Sequence, residues 1–243
     1  MKRILIYFLI CLSFALAQSP TLERIKEHNE LNCGVSGLQA GSFVELVDGG
    51  LIGFSAEFCR AIAVAILDSS QNVIYIPLNG QSQFPSITSG DSDILVGDIS
   101  LSAIRDIALS IEFGPAYFHK DDKHYAPVIA EGDSDWKEIV SWLIFALIQA
   151  EEWGLNSDNI DGPVEGETNL VRRDLFANYE AGLSKQIGLE PNSLSRMIRA
   201  VGNYGEIYDR HFGSQALVST PRGLNDIWQN GGMLYAPPFS TSP

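Results

Sequence analysis

Apolar and amphipathic segments alternate through the first half of the chain beyond residue 18. Short runs rich in apolar and β-branched residues predict three strands, at residues 31–35, 73–77 and 93–96. Apolar residues at helical spacing predict a helix capped by Ser55 and ending near Leu67, and a second helix opening near Gln81. This β-α-β-α-β order favours parallel strands joined by right-handed crossovers.

The second half of the chain has a helical pattern. Apolar residues recur at helical spacing from Trp136 to Ile148, and the segment ends at Gly154. Its apolar stretch is too short to span a bilayer and is flanked by charged residues, which is typical of a core helix. Further helices are predicted at residues 169–178, 180–187, 192–212 and 223–230. The pattern predicts an α/β protein with a mainly parallel sheet and a helical C-terminal wrap.

Composition and charge narrow the possible functions. The 243 residues are 45% hydrophobic, and 16 Lys and Arg stand against 30 Asp and Glu, for a net charge of −14. The apolar content is that of a folded core. The acidic balance disfavours binding to a nucleic-acid backbone, which needs clustered cations. Because the sequence has neither a Walker loop nor a GxGxxG motif, it gives no support to nucleotide chemistry.

The first 17 residues have the pattern of a secretory signal. Lys2 and Arg3 precede an apolar run from Ile4 to Leu12, and a small-residue cleavage site follows at Ala15-Leu16-Ala17. We expect cleavage near Ala17 and export from the cytoplasm. A retained membrane anchor is the alternative, but the apolar run is shorter than the roughly 20 residues that a spanning helix needs.

Two cysteines remain after such a cleavage, which removes Cys11. Cys33 lies in a predicted strand and Cys59 in the helix that follows, and both would be in an oxidising compartment. A disulfide is one interpretation, and two buried free thiols are the other. A metal site is disfavoured because no histidine lies near either cysteine in the sequence.

The segment 97–106, after the third predicted strand, contains a candidate anion site. Ser102 is placed to cap a helix whose first turn carries Arg105, and Ser100 lies just before it. A guanidinium makes paired hydrogen bonds to a carboxylate, and a hydroxyl and free helical N–H groups add donors, so the pattern is compatible with a carboxylate clamp. On the residues alone, a solvated Arg105 or its pairing with Asp106 remains the alternative.

Seven segments, distributed from one end of the mature chain to the other, carry a resemblance to a known family. They are Thr21–Ile25, Leu31–Ser36, Gly53–Ala61, Arg105-Asp106, Ala200–Ile207, Arg222–Asn225 and Leu234–Phe239. In these segments and in their order the chain resembles the family-3 extracellular solute-binding proteins, specifically the general L-amino-acid-binding proteins of polar amino-acid ABC transporters.

The resemblance implies a fold of the type II periplasmic-binding-protein kind and a function in amino-acid uptake. Such a protein binds an L-amino acid and delivers it to an inner-membrane ABC permease without chemistry on the ligand. Carried over by position, Arg105 would bind the ligand carboxylate and Ser100 would assist it. Asp98 and Gly97 would line the turn that receives the amino group. Phe43 would cover the ligand, unless it packs onto its own lobe.

The same resemblance implies a disulfide between Cys33 and Cys59 and a location in the bacterial periplasm. The chain also departs from the family. Ser55 replaces the acidic residue that members usually carry after Gly-Phe, and Ile104 replaces the polar residue before the arginine. Both departures lie close to the expected site.

A larger departure is the absence of the family's second lobe. A predicted strand at 111–118 runs through residues 119–124 directly into Ala126–Ile129, which resembles the family's return strand. A lobe of on the order of a hundred residues cannot fit in this bridge. We therefore divide the chain into a signal (1–17), the first part of the α/β ligand-binding lobe (18–118), the bridge (119–124), and the return strand with the helical C-terminal part (125–243).

Three functions remain open at this stage. The leading hypothesis is the periplasmic solute-binding component of an amino-acid ABC transporter, its binding weakened because no second lobe excludes water from the ligand. The alternative is a vestigial or docking protein without ligand transport. A dehydratase-like enzyme on the same fold is disfavoured, because the missing lobe removes the source of an acid over the ligand. We expect a monomer with no catalytic activity and no cofactor.

The bridge contains four residues of metal-ligand type. These are His119, Asp121, Asp122 and His124. A metal needs ligands held at fixed geometry, whereas the bridge has the pattern of a mobile, solvated turn. We therefore expect no metal site there.

Overall fold

The computed structural model describes residues 19–37, 44–45, 51–161 and 167–239. The predicted signal and Phe43 lie outside these residues. The first described elements are α1 (Pro20–His28), β1 (Leu31–Ser36), β2 (Val44–Glu45), β3 (Leu51–Ile52), α2 (Phe54–Leu67), β4 (Val73–Leu78), α3 (Gln83–Thr88), β5 (Ile94–Gly97) and α4 (Ala103–Ala108).

The described chain continues through short strands into longer helices. These elements are β6 (Ile111–Phe113), β7 (Phe118–Lys120), β8 (Lys123–Tyr125), β9 (Val128–Ala130), α5 (Ser134–Glu152), α6 (Glu167–Gln186), α7 (Ser193–Val201) and α8 (Tyr204–Phe212). Two 3-10 turns follow, at Gly223–Asn225 and Trp228–Asn230. The helical C-terminal part that the pattern predicts is therefore confirmed.

Strands β4, β1, β5, β9 and β6 form one sheet in that order. β1 pairs in parallel with β4 on one side and with β5 on the other, which confirms the predicted parallel core. β9 lies antiparallel between β5 and β6. The returning chain thus completes the sheet of the first half instead of starting a second one.

A disulfide fixes the central strand to the helix behind it. Cys33 of β1 and Cys59 of α2 are bonded, with Cα atoms 6.2 Å apart, and both side chains are fully buried. This bond confirms the pairing that the family resemblance implies. A link closing a loop of this size stabilises a fold by about 3 kcal/mol.

Helix α5 is the core helix of the second half. Its buried face consists of Trp136, Ile139, Val140, Leu143, Ile144, Leu147 and Ile148. Trp136 also donates its indole N–H to the carbonyl of Asp93 at 2.8 Å, so a polar contact adds to the apolar packing against the sheet. Within the described parts of the chain, no helix combines the length and the apolar character needed to cross a membrane.

Several predicted boundaries were wrong for local reasons. Helix α2 has Gly53 at its N-cap, and Ser55 is the second residue of the helix, where it is buried. The predicted helix at 192–212 is interrupted at Gly202, after which Asn203 and Glu206 form a capping box that starts α8. The helix predicted at 223–230 is replaced by the two 3-10 turns.

Other errors came from contacts between distant segments. The predicted break between residues 178 and 180 does not occur, because α6 continues through Glu180, whose carboxylate accepts the N–H of Ser195 at 2.7 Å. The predicted strand at 111–118 divides into β6 and β7. β7 turns at Asp121-Asp122 and pairs with β8, so the segment 119–124 belongs to an antiparallel hairpin and is not a mobile turn.

Asn225 binds this hairpin to the C-terminal segment. Its side-chain oxygen accepts the N–H of His119 at 2.6 Å, and its amide donates to the carbonyl of His119 at 2.9 Å. Asn225 is only 4% exposed, so water does not compete for either bond. The side chain thereby satisfies both backbone groups as a neighbouring strand would.

Seven aromatic rings join the hairpin to helices α2 and α8. Phe54 lies at the centre of this cluster, with ring centroids 5.1–6.0 Å from those of the other six. The other members are Phe58, Tyr117, Phe118, Tyr204, Tyr208 and Phe212. Since such ring pairs add about 0.5–1.5 kcal/mol each to the area that they bury, the cluster is a major source of cohesion.

Glu57 forms a buried ionic network between α2 and α8. Its Oε1 lies 2.7 Å from Nη1 of Arg60, 3.3 Å from Nη1 of Arg210 and 3.4 Å from Nε2 of His211. Burial acts to raise the pKa of Glu57, but the hydrogen bond with His211 and the charges of Arg60 and Arg210 outweigh burial and lower the pKa.

Asn225→Ala tests the attachment of the hairpin. The substitution leaves the buried N–H and carbonyl of His119 unpaired, and each such group costs about 1–3 kcal/mol. We expect a loss of stability of at least about 2 kcal/mol in urea unfolding and faster hydrogen exchange of the His119 amide. Asn230→Ala is the control, because Asn230 is exposed on the same segment and bonds only at the surface. Equal stability of the two variants would contradict the anchoring role.

Glu57→Gln tests the ionic network through its pH dependence. Because the folded-state pKa of Glu57 lies below its usual value of 4.5, its contribution is complete above pH 4.5 and declines as the pH falls through the folded-state pKa. We expect the variant to be about 1–3 kcal/mol less stable at pH 7, with the difference narrowing below pH 4.5. Urea titrations from pH 3 to 7 measure it, with exposed Glu27→Gln as control. A difference that stays constant with pH would refute the linkage.

Candidate functional site

The candidate site lies at the carboxyl ends of β1 and β5. β1 connects through α2 to β4 on one side, and β4 connects through α3 to β5 on the other side of β1. The strand order therefore reverses between β1 and β5. In open α/β sheets this switch point forms a crevice beyond the strand ends, where ligands bind. Ser36 and Gly97, the last residues of the two strands, lie opposite each other there.

The two loops that leave these strands are in close contact. Asp98 donates its N–H to the carbonyl of Ser36 at 3.0 Å. A Cβ atom at Gly37 would come within 2.7 Å of Cβ of Asp98, and Gly37 has a φ of +75°. Glycine at position 37 is thus required for both the conformation and the close approach. The contact fixes Asp98 at the floor of the crevice.

A buried tyrosine supports the loop from below. Gly97 donates its N–H to the hydroxyl of Tyr117 at 3.1 Å. Burial raises the pKa of Tyr117, while its hydrogen bonds with Gly97 and Ser55 act in the opposite direction. Ser55, at the position where the family usually has an acid, therefore contacts Tyr117 at the start of α2. The hydroxyl that it contributes is neutral, so this part of the site lacks the expected carboxylate.

A shallow, open pocket with a cavity volume of about 10 Å³ lies between these elements. Its lining consists of Phe54, Ser55, Gly97, Asp98, Tyr117, Phe118 and Tyr125. Asp98 is exposed in the pocket and hydrogen-bonded with Tyr125. Burial, followed by the charge of Asp98 and this bond, raises the pKa of Tyr125. An exposed carboxylate beside aromatic walls is suited to a cationic group such as an ammonium.

Arg105 lies on the first turn of α4, as predicted. Ser102 caps the helix by accepting the N–H of Arg105 at 3.4 Å. The guanidinium is exposed; its Nη1 donates to the carbonyl of Ser100 at 3.3 Å, and its central carbon lies 5.9 Å from the ring centre of Phe84. The side chain therefore turns back toward the loop that begins at Gly97.

Ser100 connects the arginine to the pocket. It forms a β-bridge with Tyr125, which lines the pocket, while its carbonyl accepts from Arg105. The structure thus places Gly97 and Asp98 in the pocket and Ser100 and Arg105 along the loop beside it. The sequence analysis did not identify the aromatic lining, although Tyr117, Phe118 and Tyr125 flank the short bridge and could have indicated it.

Comparison with known proteins gives a consistent set of relatives, although no family model matches the chain. The chain is 24% identical over 318 residues to the general L-amino acid-binding periplasmic protein AapJ of Rhizobium johnstonii, covering 91% of this chain and 93% of the relative. It is also 24% identical over 319 residues to the glutamate/glutamine/aspartate/asparagine-binding protein BztA of Rhodobacter capsulatus, covering 92% and 94%. The putative amino-acid ABC transporter-binding protein YhdW of Escherichia coli K12 matches at 24% over 343 residues, covering 98% and 99%.

These alignments are longer than the chain. The match to AapJ has 318 positions, whereas 91% of 243 residues is about 221, so about 97 positions of that relative have no counterpart here. This number of positions is about the size of one lobe. It agrees with the direct passage from β7 to β8 through a two-residue turn.

Solved structures show the same fold. An ABC transporter periplasmic binding protein from Brucella ovis, solved with glutathione bound, superposes with a TM-score of 0.82 at 20% identity, covering 92% of this chain and all of that chain. A cysteine-binding protein from Campylobacter jejuni matches with a TM-score of 0.50 at 12% identity, covering 61% and 97%. The chain is therefore similar over most of its length to periplasmic amino-acid-binding proteins of ABC transporters, and it has the α/β fold of a periplasmic binding protein in a shortened form.

Proposed function

We propose that this protein is the periplasmic solute-binding component of an amino-acid ABC transporter and that it holds an L-amino acid on its single lobe. The observation that carries the proposal is the arrangement of the loop at the switch point. An exposed anion, Asp98, begins the loop after β5, and an exposed cation, Arg105, lies on the first turn of α4 at the other end of that loop, beside an aromatic pocket. A zwitterionic ligand has the complementary pair of charges.

In this proposal the ligand carboxylate binds to Arg105. The guanidinium uses one N–H for the carbonyl of Ser100 and has further donors for paired bonds to a carboxylate. The Ser100 hydroxyl adds a donor. Asp98 and the carbonyl of Gly97 receive the ligand ammonium at the mouth of the pocket. The family resemblance also assigns Phe43, which lies outside the described residues, to cover the ligand.

The proposed location and partner follow from the N-terminal pattern and the relatives. The signal-like segment 1–17 supports export with cleavage near Ala17. The relatives named above are periplasmic or ABC-transporter binding proteins, which supports a periplasmic location and delivery to an inner-membrane permease. Acting as a monomer remains part of the proposal. Because those relatives are binding proteins, we assign no catalytic step.

Binding on one lobe is expected to be weak. Arg105 and Asp98 are both exposed, and ion pairs in water contribute at most about 1 kcal/mol each. The pocket covers the ligand from one side only. A dissociation constant on the order of 1 mM, which corresponds to about −4 kcal/mol, is consistent with two such contacts and partial burial.

The test is a thermal-shift screen of the mature protein against the common L-amino acids at 10 mM. A ligand that binds the native state only, at ten times a millimolar dissociation constant, adds about 1.4 kcal/mol and raises Tm by about 3–5 °C for a chain of this size. We expect a selective rise for a subset of amino acids. Arg105→Ala should abolish the rise while leaving Tm of the free protein nearly unchanged.

Arg199→Ala is the matched control. Arg199 is a half-exposed arginine of α7 that is ion-paired with Asp161, outside the candidate site. This variant should keep the ligand-induced rise. A rise that persists in Arg105→Ala, or one that is lost equally in both arginine variants, would contradict the clamp. A cooperative melt that no amino acid shifts would favour the vestigial or docking function instead.

A further inference from the structure

The hairpin of β7 and β8 brings two histidines into direct contact. His119 and His124 are directly opposite each other in the antiparallel ladder. Their Nδ1 atoms lie 2.8 Å apart, and the ring planes meet at 73°. At this distance one ring donates a proton and the other accepts it. The two nitrogens therefore face each other between the strands.

The two rings differ in exposure. His119 is 6% exposed, whereas His124 is partly exposed, so the pair is reached from solvent on the His124 side.

The backbone beneath both rings is fixed. Asn225 pairs with the N–H and the carbonyl of His119, and the carbonyl of His124 accepts the N–H of Leu101 at 2.8 Å. Because both strand positions are held in this way, the backbone restricts the distance between the two imidazole side chains. The sequence pattern predicted a mobile turn here, and for that reason no metal site was expected. The segment forms an ordered hairpin, so this reason no longer applies.

We propose that His119 and His124 form a two-histidine site for a divalent transition metal of tetragonal preference, Cu²⁺ above all. The hydrogen bond between the rings sets the present separation of the two Nδ1 atoms, so the preference for Cu²⁺ rests on its higher affinity for imidazole nitrogen. Binding displaces the shared proton and requires the rings to turn until both lone pairs point at the metal.

Water completes the coordination of the metal. Within the residues that the structure describes, no cluster of three or more His, Cys, Asp or Glu side chains is arranged to hold a metal. The site is therefore a chelating pair, open to exchange with other copper ligands. Copper stands above nickel and zinc in affinity for nitrogen ligands, so we expect Cu²⁺ to bind most tightly.

The test is a titration of the tag-free mature protein with CuSO₄, in a buffer without amino acids, followed by calorimetry and electron paramagnetic resonance. We expect one Cu²⁺ per chain and a spectrum with coupling to imidazole nitrogens. Zn²⁺ should bind more weakly than Cu²⁺. The spectrum of the unchanged protein is itself decisive, because a signal without imidazole coupling would overturn the proposal.

Substitutions then locate the site. His124→Gln should remove the copper-binding phase, since one imidazole alone does not chelate, and a thermal melt establishes that the variant is folded. His28→Gln, at an exposed histidine of α1, is the control and should bind Cu²⁺ like the unchanged protein. Copper binding that survives in folded His124→Gln, or that is lost in His28→Gln, would assign the metal elsewhere.

Discussion

The fold depends on the two-residue turn at Asp121-Asp122, because that turn returns the chain to its own sheet. After the turn, β9 enters the sheet antiparallel between β5 and β6, and the helices α5 to α8 come after β9 in the chain. A two-stranded hairpin alone is marginally stable in water. It is held here by Asn225, 106 residues away in the sequence, and by the aromatic cluster centred on Phe54. The C-terminal half therefore holds the hairpin in place and completes the lobe.

Because the chain returns to its own sheet after a two-residue turn, the candidate site is covered on one side only. The crevice at the switch point has a fixed floor, where Gly37 and Asp98 are in contact, and an aromatic wall on the hairpin side. Above it, Arg105 and the neighbouring Ile104, 80% exposed, face solvent. With a net charge of −14 the protein repels anions at long range, although salt screens this field beyond about 10 Å. A zwitterion carries no net charge, so it approaches without that penalty. An acidic amino acid carries a net negative charge and is repelled.

Much of the fold could be predicted from local patterns. The three parallel strands, the cap at Ser102 and the core helix each depend on residues within one segment, and these predictions are confirmed. The hairpin could not be predicted in this way, because its partner Asn225 is remote in the sequence. The same holds for the support of Gly97 by Tyr117 and for the continuity of α6 through Glu180. The disulfide came from the family resemblance, since spacing alone left free thiols as an alternative.

The hairpin also links the two sites that we propose. Phe118 and Tyr125, which line the pocket, are the residues next to His119 and His124. The loop that carries Ser100 is joined to β8 at both Tyr125 and His124. Any effect of one ligand on the affinity for the other must be equal in both directions. Because Asn225 and the aromatic rings hold the hairpin in one arrangement, such an effect has to act through side-chain rotation and charge. The coupling between the sites should therefore be small unless the rings of His119 and His124 displace Tyr125 as they turn.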